Sequence, residues 1–180
     1  MPTCAQARPG SCPCCGAPSS PLGERLIIVG HGLVERQVQG PATADGVPEQ
    51  GVVTLRRYRC RRCEAVLVVG PRGLVARRWY GAGAISVALA VFAAGGTTAD
   101  ARARTSPRRT VGGSAVDRWI TLVRWLDAVR EMRLFAVAGL DGLGRRDVAR
   151  YVLLALAARG GHSPGADLAS SAFAGACAAA

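Results

Sequence analysis

The sequence of 180 residues contains no lysine and no asparagine. These amino acids share A-rich codons, so their joint absence indicates a GC-rich coding sequence in which arginine replaces lysine. Codon bias does not explain why 23 arginines face only 12 acidic residues, with a formal net charge of +11. An excess of this size favours a polyanionic partner, and nucleic acid fits it better than an anionic membrane surface.

Three further absences narrow the class of protein. The start, MPTCAQARPGSCPCCG, lacks the apolar segment of a secretory signal peptide, so we expect a chain in the reducing cytoplasm. No Ser-His-Asp arrangement, His-Glu-x-x-His motif or phosphate-binding loop is present, so we expect no enzymatic activity and no small-molecule substrate. Residues 79–99 are uncharged over about the length of a bilayer span, but their strongly apolar part is only residues 85–94, and we expect no membrane helix.

A change of periodicity near residue 80 divides the chain. Before it, β-branched residues predict three strands, at 24–38 (interrupted by a turn or bulge at its glycines), 52–59 and 65–70, with a loop at 39–51. After it, helical periods dominate. We therefore predict an α+β fold with a β module at residues 1–75, a helical domain at 80–160 and a frayed low-complexity tail at 161–180.

The helical part has recognisable helix ends. AGAISVALAVFAAGG predicts a helix that stops at its final glycines, and Thr97 with Asp100 predicts a capping box before a short helix at 98–105. Ser114 and Asp117 repeat the capping pattern in front of a third helix. A last helix is predicted over about 145–159. Three helices in this order are typical of a helix-turn-helix domain.

The third helix is amphipathic. Its predicted inner face consists of Val116, Trp119, Ile120, Val123, Leu126 and Val129. Ser114, Arg118 and Thr121 are expected to face outward, where a recognition helix presents side chains to the DNA major groove. A plain helical bundle with a solvated arginine face is the alternative.

Four of the seven cysteines form two Cys-x-x-Cys pairs, Cys12 with Cys15 and Cys60 with Cys63. Two such turns supply the four thiolates of a closed structural zinc site. Cys14 could replace one ligand, and His31 is a fallback ligand that is otherwise expected in a turn. Cys177 is expected to be an idle thiol. Glu64 follows the second pair, at a position where glycine often relieves a left-handed turn.

Arginines concentrate around the second cysteine pair, and residues 56–78 contain eight arginines and one acid. Arginine can fork onto phosphate oxygens. Thirteen arginines are candidate nucleic-acid contacts: Arg56, Arg57, Arg59, Arg61, Arg62, Arg77, Arg78, Arg102, Arg104, Arg108, Arg109, Arg118 and Arg124. Tyr58, Trp79 and Trp125 could stack on bases but are expected in the core.

The knuckle CPCCG, the strand around VGHGLVERQV and the segment VVTLRRYRCRRC resemble the zinc ribbon that precedes the helix-turn-helix part of bacterial insertion-sequence transposases. The resemblance extends more loosely through PRGLVARRWY and the helix AISVALAVFAAGG, and covers roughly residues 10–130. It implies a small bacterial family built like that N-terminal region. No RNase H-like nuclease is expected in the remaining 50 residues.

These observations predict a non-catalytic DNA-binding protein with a structural zinc site, transposase-related or regulatory, that could work with a separately encoded transposase or another protein. The first alternative is a protein-interaction module in which the arginines only keep the chain soluble. The second is a membrane-associated zinc-ribbon protein that uses residues 79–99 as a span.

Overall fold

Three strands and five helices succeed one another in the residues that the computed structural model describes, which are 3–108, 119–161 and 166–179. The strands are β1 (Ile28–Gly40), β2 (Glu49–Cys60) and β3 (Val66–Val69). The helices are α1 (Ala82–Ala93), α2 (Thr98–Thr105), α3 (Ile120–Arg130), α4 (Arg145–Gly160) and α5 (Leu168–Ala179). The mixed α+β class predicted from the sequence is confirmed.

The strands form one antiparallel sheet in the order β1-β2-β3. β1 runs through Gly30 and Gly32 as one strand, so the turn expected at these glycines and at His31 is wrong. Gly32 has φ +90°, a conformation that glycine adopts at little cost, and the strand continues through it. The end of β1 and the start of β2 also extend into the predicted loop 39–51, so only residues 41–48 lie between the two strands.

The contacts divide the chain into two compact units. The first consists of Met1–Gln37 and Val52–Pro71, and the second of Val38–Gly51 and Arg72–Ala180. The first unit has a small core in which Ile28 and Tyr58 are fully buried beside Cys12 and Cys60. The hydroxyl of Tyr58 donates a hydrogen bond to the carbonyl oxygen of Cys4 at 2.7 Å, which ties the start of the chain to β2.

The second unit contains the helices and a larger apolar core. Three aromatic rings of this unit, Tyr80, Trp119 and Trp125, meet edge to face with centroids 5.0 to 5.8 Å apart. Trp125 is buried, as expected. Ile120 was assigned to the inner face of the third helix but is 54% exposed. Trp119, Leu126 and Val129 are buried as predicted, and Leu122 and Trp125 join them on the inner side of α3.

Local capping determines where α2 begins. The Thr97 hydroxyl accepts the backbone N–H of Asp100, and the Asp100 carboxylate accepts the backbone N–H of Thr97. This confirms the predicted capping box and the predicted span of α2. α4 also agrees with its prediction to within one residue. The predicted cap at Ser114 and Asp117 lies outside the described residues.

The expectation of a frayed tail is wrong for residues 168–179, which form α5 and bury Ala172 and Ala176. The small residues that looked like low complexity allow two helices to approach closely. A Cβ on Gly175 would lie 1.7 Å from the carbonyl oxygen of Leu156 in α4. Side chains of ordinary size would hold α4 and α5 apart.

The uncharged stretch 79–99 contains α1, which is 12 residues long. Among the described residues, no helix is both long enough and apolar enough to cross a membrane.

Candidate metal centre

The four cysteines of the two Cys-x-x-Cys pairs come together in the first unit. Their Sγ atoms all lie within 4.8 Å of one another, and the group could hold a metal ion. Cys12 Sγ lies 3.7 Å from Cys63 Sγ, and Cys15 Sγ lies 3.7 Å from Cys60 Sγ. These distances are far too long for a disulfide. They match the edge of about 3.8 Å of a regular tetrahedron of sulfurs around a metal at about 2.3 Å.

Both cysteine turns are built in the same way. In the first, the N–H of Gly16 donates to the carbonyl oxygen of Cys12, and the N–H of Cys12 donates to that of Ala17. In the second, Glu64 donates to Cys60, and Cys60 donates to Ala65, at distances of 2.8 and 2.9 Å. Each short sulfur contact joins the first cysteine of one turn to the second cysteine of the other. The two turns therefore face each other with approximate twofold symmetry, and each supplies two of the four sulfurs.

Backbone N–H groups favour the thiolate form of two of the cysteines, which is the form that binds a cation. The amide of Cys15 lowers the pKa of Cys12 to about 7, against the effect of burial. At Cys63 the amide of Ala65 also favours the thiolate, but burial and hydrogen bonds with the other three thiols together outweigh it and raise the pKa to about 12. The two thiols thus differ in how readily each ionises. A divalent cation between the sulfurs would favour the thiolate form of both, because it compensates their charge.

The remaining cysteines and His31 lie outside this group. Cys14 belongs to the first turn, but its side chain is exposed to solvent. His31 lies exposed in β1, and within the described part of the chain the metal-binding group contains neither residue. Cys177 belongs to the second unit, where burial raises its pKa. A raised pKa lowers the thiolate fraction of this cysteine at neutral pH.

Sequence reasoning missed the amides of Cys14, Cys15 and Ala65, which hydrogen-bond to the sulfurs. Such outer contacts orient metal ligands and hold their charge. Every residue except proline has a backbone N–H, so the residue types give no signal for these contacts.

Glu64 is the position at which the second turn departs from the first. It has φ +63°, whereas the equivalent Gly16 has φ +70°. A side chain in this region costs about 1 kcal/mol or more. Its exposed ion pair with Arg59 offsets only a fraction of that cost.

We therefore expect Glu64→Gly to raise the free energy of unfolding of the metal-loaded protein by about 0.5 to 1 kcal/mol. The reciprocal change Gly16→Ala is a matched control that should lower it by about 1 kcal/mol, because a Cβ at Gly16 meets no neighbouring atom and only the backbone is affected. Urea denaturation at fixed metal concentration measures both. Shifts of the same sign in the two variants, or a loss of stability in Glu64→Gly, would mean that the two turns are not equivalent.

The candidate arginines belong to both units, and each unit presents its own set. Arg56, Arg57, Arg59, Arg61 and Arg62 are in the first unit; Arg77, Arg78, Arg102, Arg104, Arg108 and Arg124 are in the second. Arg109 and Arg118 lie outside the described residues. Arg104 has a structural contact, since it donates to the carbonyl oxygens of Gly46 and Ala44. Arg61, Arg62, Arg77 and Arg124 are exposed.

Two of the three arginines of β2, Arg57 and Arg59, lie on one face of the sheet. Tyr58 points into the core of the first unit, so its neighbours Arg57 and Arg59 lie on the opposite face. Val68 and Val66 of β3 are their direct cross-strand partners. Arg61 and Arg62 follow between the two cysteines of the second turn. The metal site and this arginine surface therefore share one short segment of chain.

Comparison with protein-family models, with curated proteins and with solved structures finds no match to this chain. The resemblance to insertion-sequence transposases depends on the quoted residues alone.

Proposed function

We propose that this chain is a non-catalytic DNA-binding protein whose first unit is a zinc ribbon held by Cys12, Cys15, Cys60 and Cys63. We further propose that it works in the cytoplasm, as a transposase-related or regulatory protein, alone or with a separately encoded transposase. One observation carries the proposal: the arginines of β2 and of the second turn lie in the same short segment of chain as two of the four clustered cysteines, Cys60 and Cys63.

Zinc is the metal that the donor set favours. Four cysteine sulfurs at tetrahedral spacing suit Zn²⁺, and a site with four protein ligands leaves no position for a reactive water. Binding would then contribute to folding and not to catalysis. In the first unit the small core offers little apolar burial of its own, which makes a stabilising metal useful.

The arginine surface supports a polyanion as partner. Arg61 and Arg62 are exposed on a turn whose backbone the metal would hold, so their positions relative to Arg57 and Arg59 would be preorganised. The ion pair between Arg59 and Glu64 is exposed, and a phosphate could displace it at small cost. A net charge of +11 adds long-range attraction to nucleic acid.

The helical unit could provide a second DNA contact of helix-turn-helix type. α1, the capped α2 and α3 follow one another in the order of that motif, and Arg124 is exposed on α3. The start of the proposed recognition helix, with Ser114 and Arg118, lies outside the described residues.

Fluorescence anisotropy of a labelled random-sequence duplex, titrated with zinc-loaded protein at several salt concentrations, tests the proposal. We expect the affinity to fall steeply with salt and to be lost on chelation of the metal. The double variant Arg61→Gln with Arg62→Gln should make the slope of log affinity against log salt shallower by about 1.8, since each phosphate contact contributes about 0.9.

A matched control removes the same charge elsewhere. Arg133 and Arg145 are exposed in the second unit, and neither belongs to the thirteen candidate nucleic-acid contacts. Arg133→Gln with Arg145→Gln should leave the slope nearly unchanged. Equal effects of the two double variants would indicate attraction by net charge only, and an absence of duplex binding at low salt by a folded, zinc-loaded sample would refute the proposal.

An apolar groove favours a protein-interaction module as the second candidate. It lies between α1, α4 and α5, has a volume of about 470 Å³, and is lined almost entirely by alanine and leucine, including the exposed Leu154 and Leu168. Binding to acidic proteins, without binding to duplex DNA, would select this function.

A further inference from the structure

Trp79 in the second unit is a large aromatic side chain left in solvent. It is 55% exposed, whereas Trp119 is 7% and Trp125 is 1% exposed. All three rings are expected in the core from the sequence, and this expectation is wrong for Trp79. Trp79 lies at a bend of the chain, directly before the isolated bridge that Tyr80 forms with Gln39. Tyr80 turns inward to Trp119 and Trp125, whereas Trp79 turns outward.

The backbone of Trp79 is held firmly. Its carbonyl oxygen accepts the N–H of Gln39 at 2.6 Å, and the N–H of Gly81 donates to the carbonyl oxygen of Gln39 at 3.2 Å. These bonds pair the segment with the end of β1 as a parallel bridge. The exposed indole therefore has a rigid base, which is what a binding surface needs in order to avoid ordering costs.

One face of the indole is covered by a cation. The guanidinium carbon of Arg108 lies 5.1 Å from the ring centroid. The same guanidinium donates to the side-chain oxygen of Gln50 at 3.4 Å, and that oxygen also accepts the side-chain amide of Gln39 at 3.5 Å. Gln39 is buried and Arg108 is exposed. Two glutamines thus orient the arginine over the ring.

We propose that Trp79 and Arg108 form a stacking platform for an unpaired base of single-stranded nucleic acid. The inference rests on the proposed function and specifies the form of nucleic acid that the second unit binds. An exposed indole offers its free face to any base, and an adjacent guanidinium adds attraction for the phosphates. In duplex DNA the bases are stacked on one another, so the platform distinguishes single strands from duplexes.

The test compares a single-stranded oligothymidylate with a blunt hairpin duplex, both labelled and titrated with the full zinc-loaded chain. Trp79→Leu keeps apolar bulk but removes the aromatic face, and it should weaken single-strand binding about tenfold or more while changing duplex binding less than twofold. Trp79→Phe restores an aromatic face and should recover most of the affinity.

Tyr151 is a matched control, because it is exposed to a similar degree (48%) on α4 of the same unit. Tyr151→Leu should leave both affinities unchanged. Intrinsic fluorescence gives an independent readout: acrylamide should quench mainly Trp79, and bound oligothymidylate should protect it, since the other two indoles are buried.

The outcomes separate the two proposals. If the chain binds the duplex but Trp79→Leu binds the single strand as well as the unchanged chain does, the stacking platform is refuted and the DNA-binding function stands. Equal losses in Trp79→Leu and Tyr151→Leu also refute the platform. If a folded, zinc-loaded chain binds neither nucleic acid, the proposed function itself fails.

Discussion

Replacement of Cys60 by alanine is expected to unfold the first unit and to abolish binding of the proposed zinc ion. Cys60 is fully buried, lies 3.7 Å from Cys15 through its sulfur, and closes the second turn through its backbone. Structural zinc sites contribute apparent binding free energies of about 10 to 16 kcal/mol. The loss of one of four ligands removes a large part of this energy, and the small core of the first unit cannot replace it.

Zinc content per chain and backbone amide NMR spectra measure this effect. Cys14→Ala is the matched control, because Cys14 lies in the first cysteine turn but is exposed. It should retain one zinc per chain and the signals of β1 to β3. The helical circular dichroism of Cys60→Ala should change little, since the helices have a separate core. Full zinc retention in Cys60→Ala, or its loss in Cys14→Ala, would contradict the assigned ligands.

Gly175→Val is expected to lower the free energy of unfolding of the second unit by about 3 kcal/mol, at the upper end of the cost of overpacking. The new Cβ would collide with backbone atoms of Leu156 and Gly160, which cannot move as a side-chain end can. α5 would have to withdraw from α4, and Ala172 and Ala176 would lose their burial.

Ala174→Val is the control for helix propensity. Ala174 precedes Gly175 in α5 but is exposed, so the same β-branched residue should cost only about 0.5 kcal/mol there. Urea denaturation followed by helical circular dichroism compares the two variants at the same zinc concentration. Similar, small losses in both would mean that α5 does not pack closely on α4 in solution.

Local patterns account for what could be predicted. The capping box of Thr97 and Asp100 satisfies amides within one turn, so four residues suffice to locate the start of α2. The spacing of each cysteine pair likewise places two sulfurs on one side of a turn. That the two turns meet was inferred from their pairing, and the structure brings the four sulfurs together.

Other features have no local signal. The exposure of Trp79 depends on the direction of Tyr80 and on the bridge to Gln39, 40 residues earlier in the chain. The burial of α5 depends on α4 having space for Gly175. Small residues are equally compatible with a frayed tail and with close helix packing, because only the partner surface distinguishes them.

The sequence by itself therefore determined the mixed class, the cysteine pairs with their spacing, the arginine excess and the capped helix, since each depends on composition or on neighbours within a few residues. Only the tertiary structure decided which faces of α3 and of the Trp79 segment turn to solvent, that residues 168–179 pack as a helix, and which arginines hold carbonyl oxygens inside the protein. These depend on contacts between distant segments, and the energy of such contacts comes from the complementary shape of two surfaces that neither segment encodes alone.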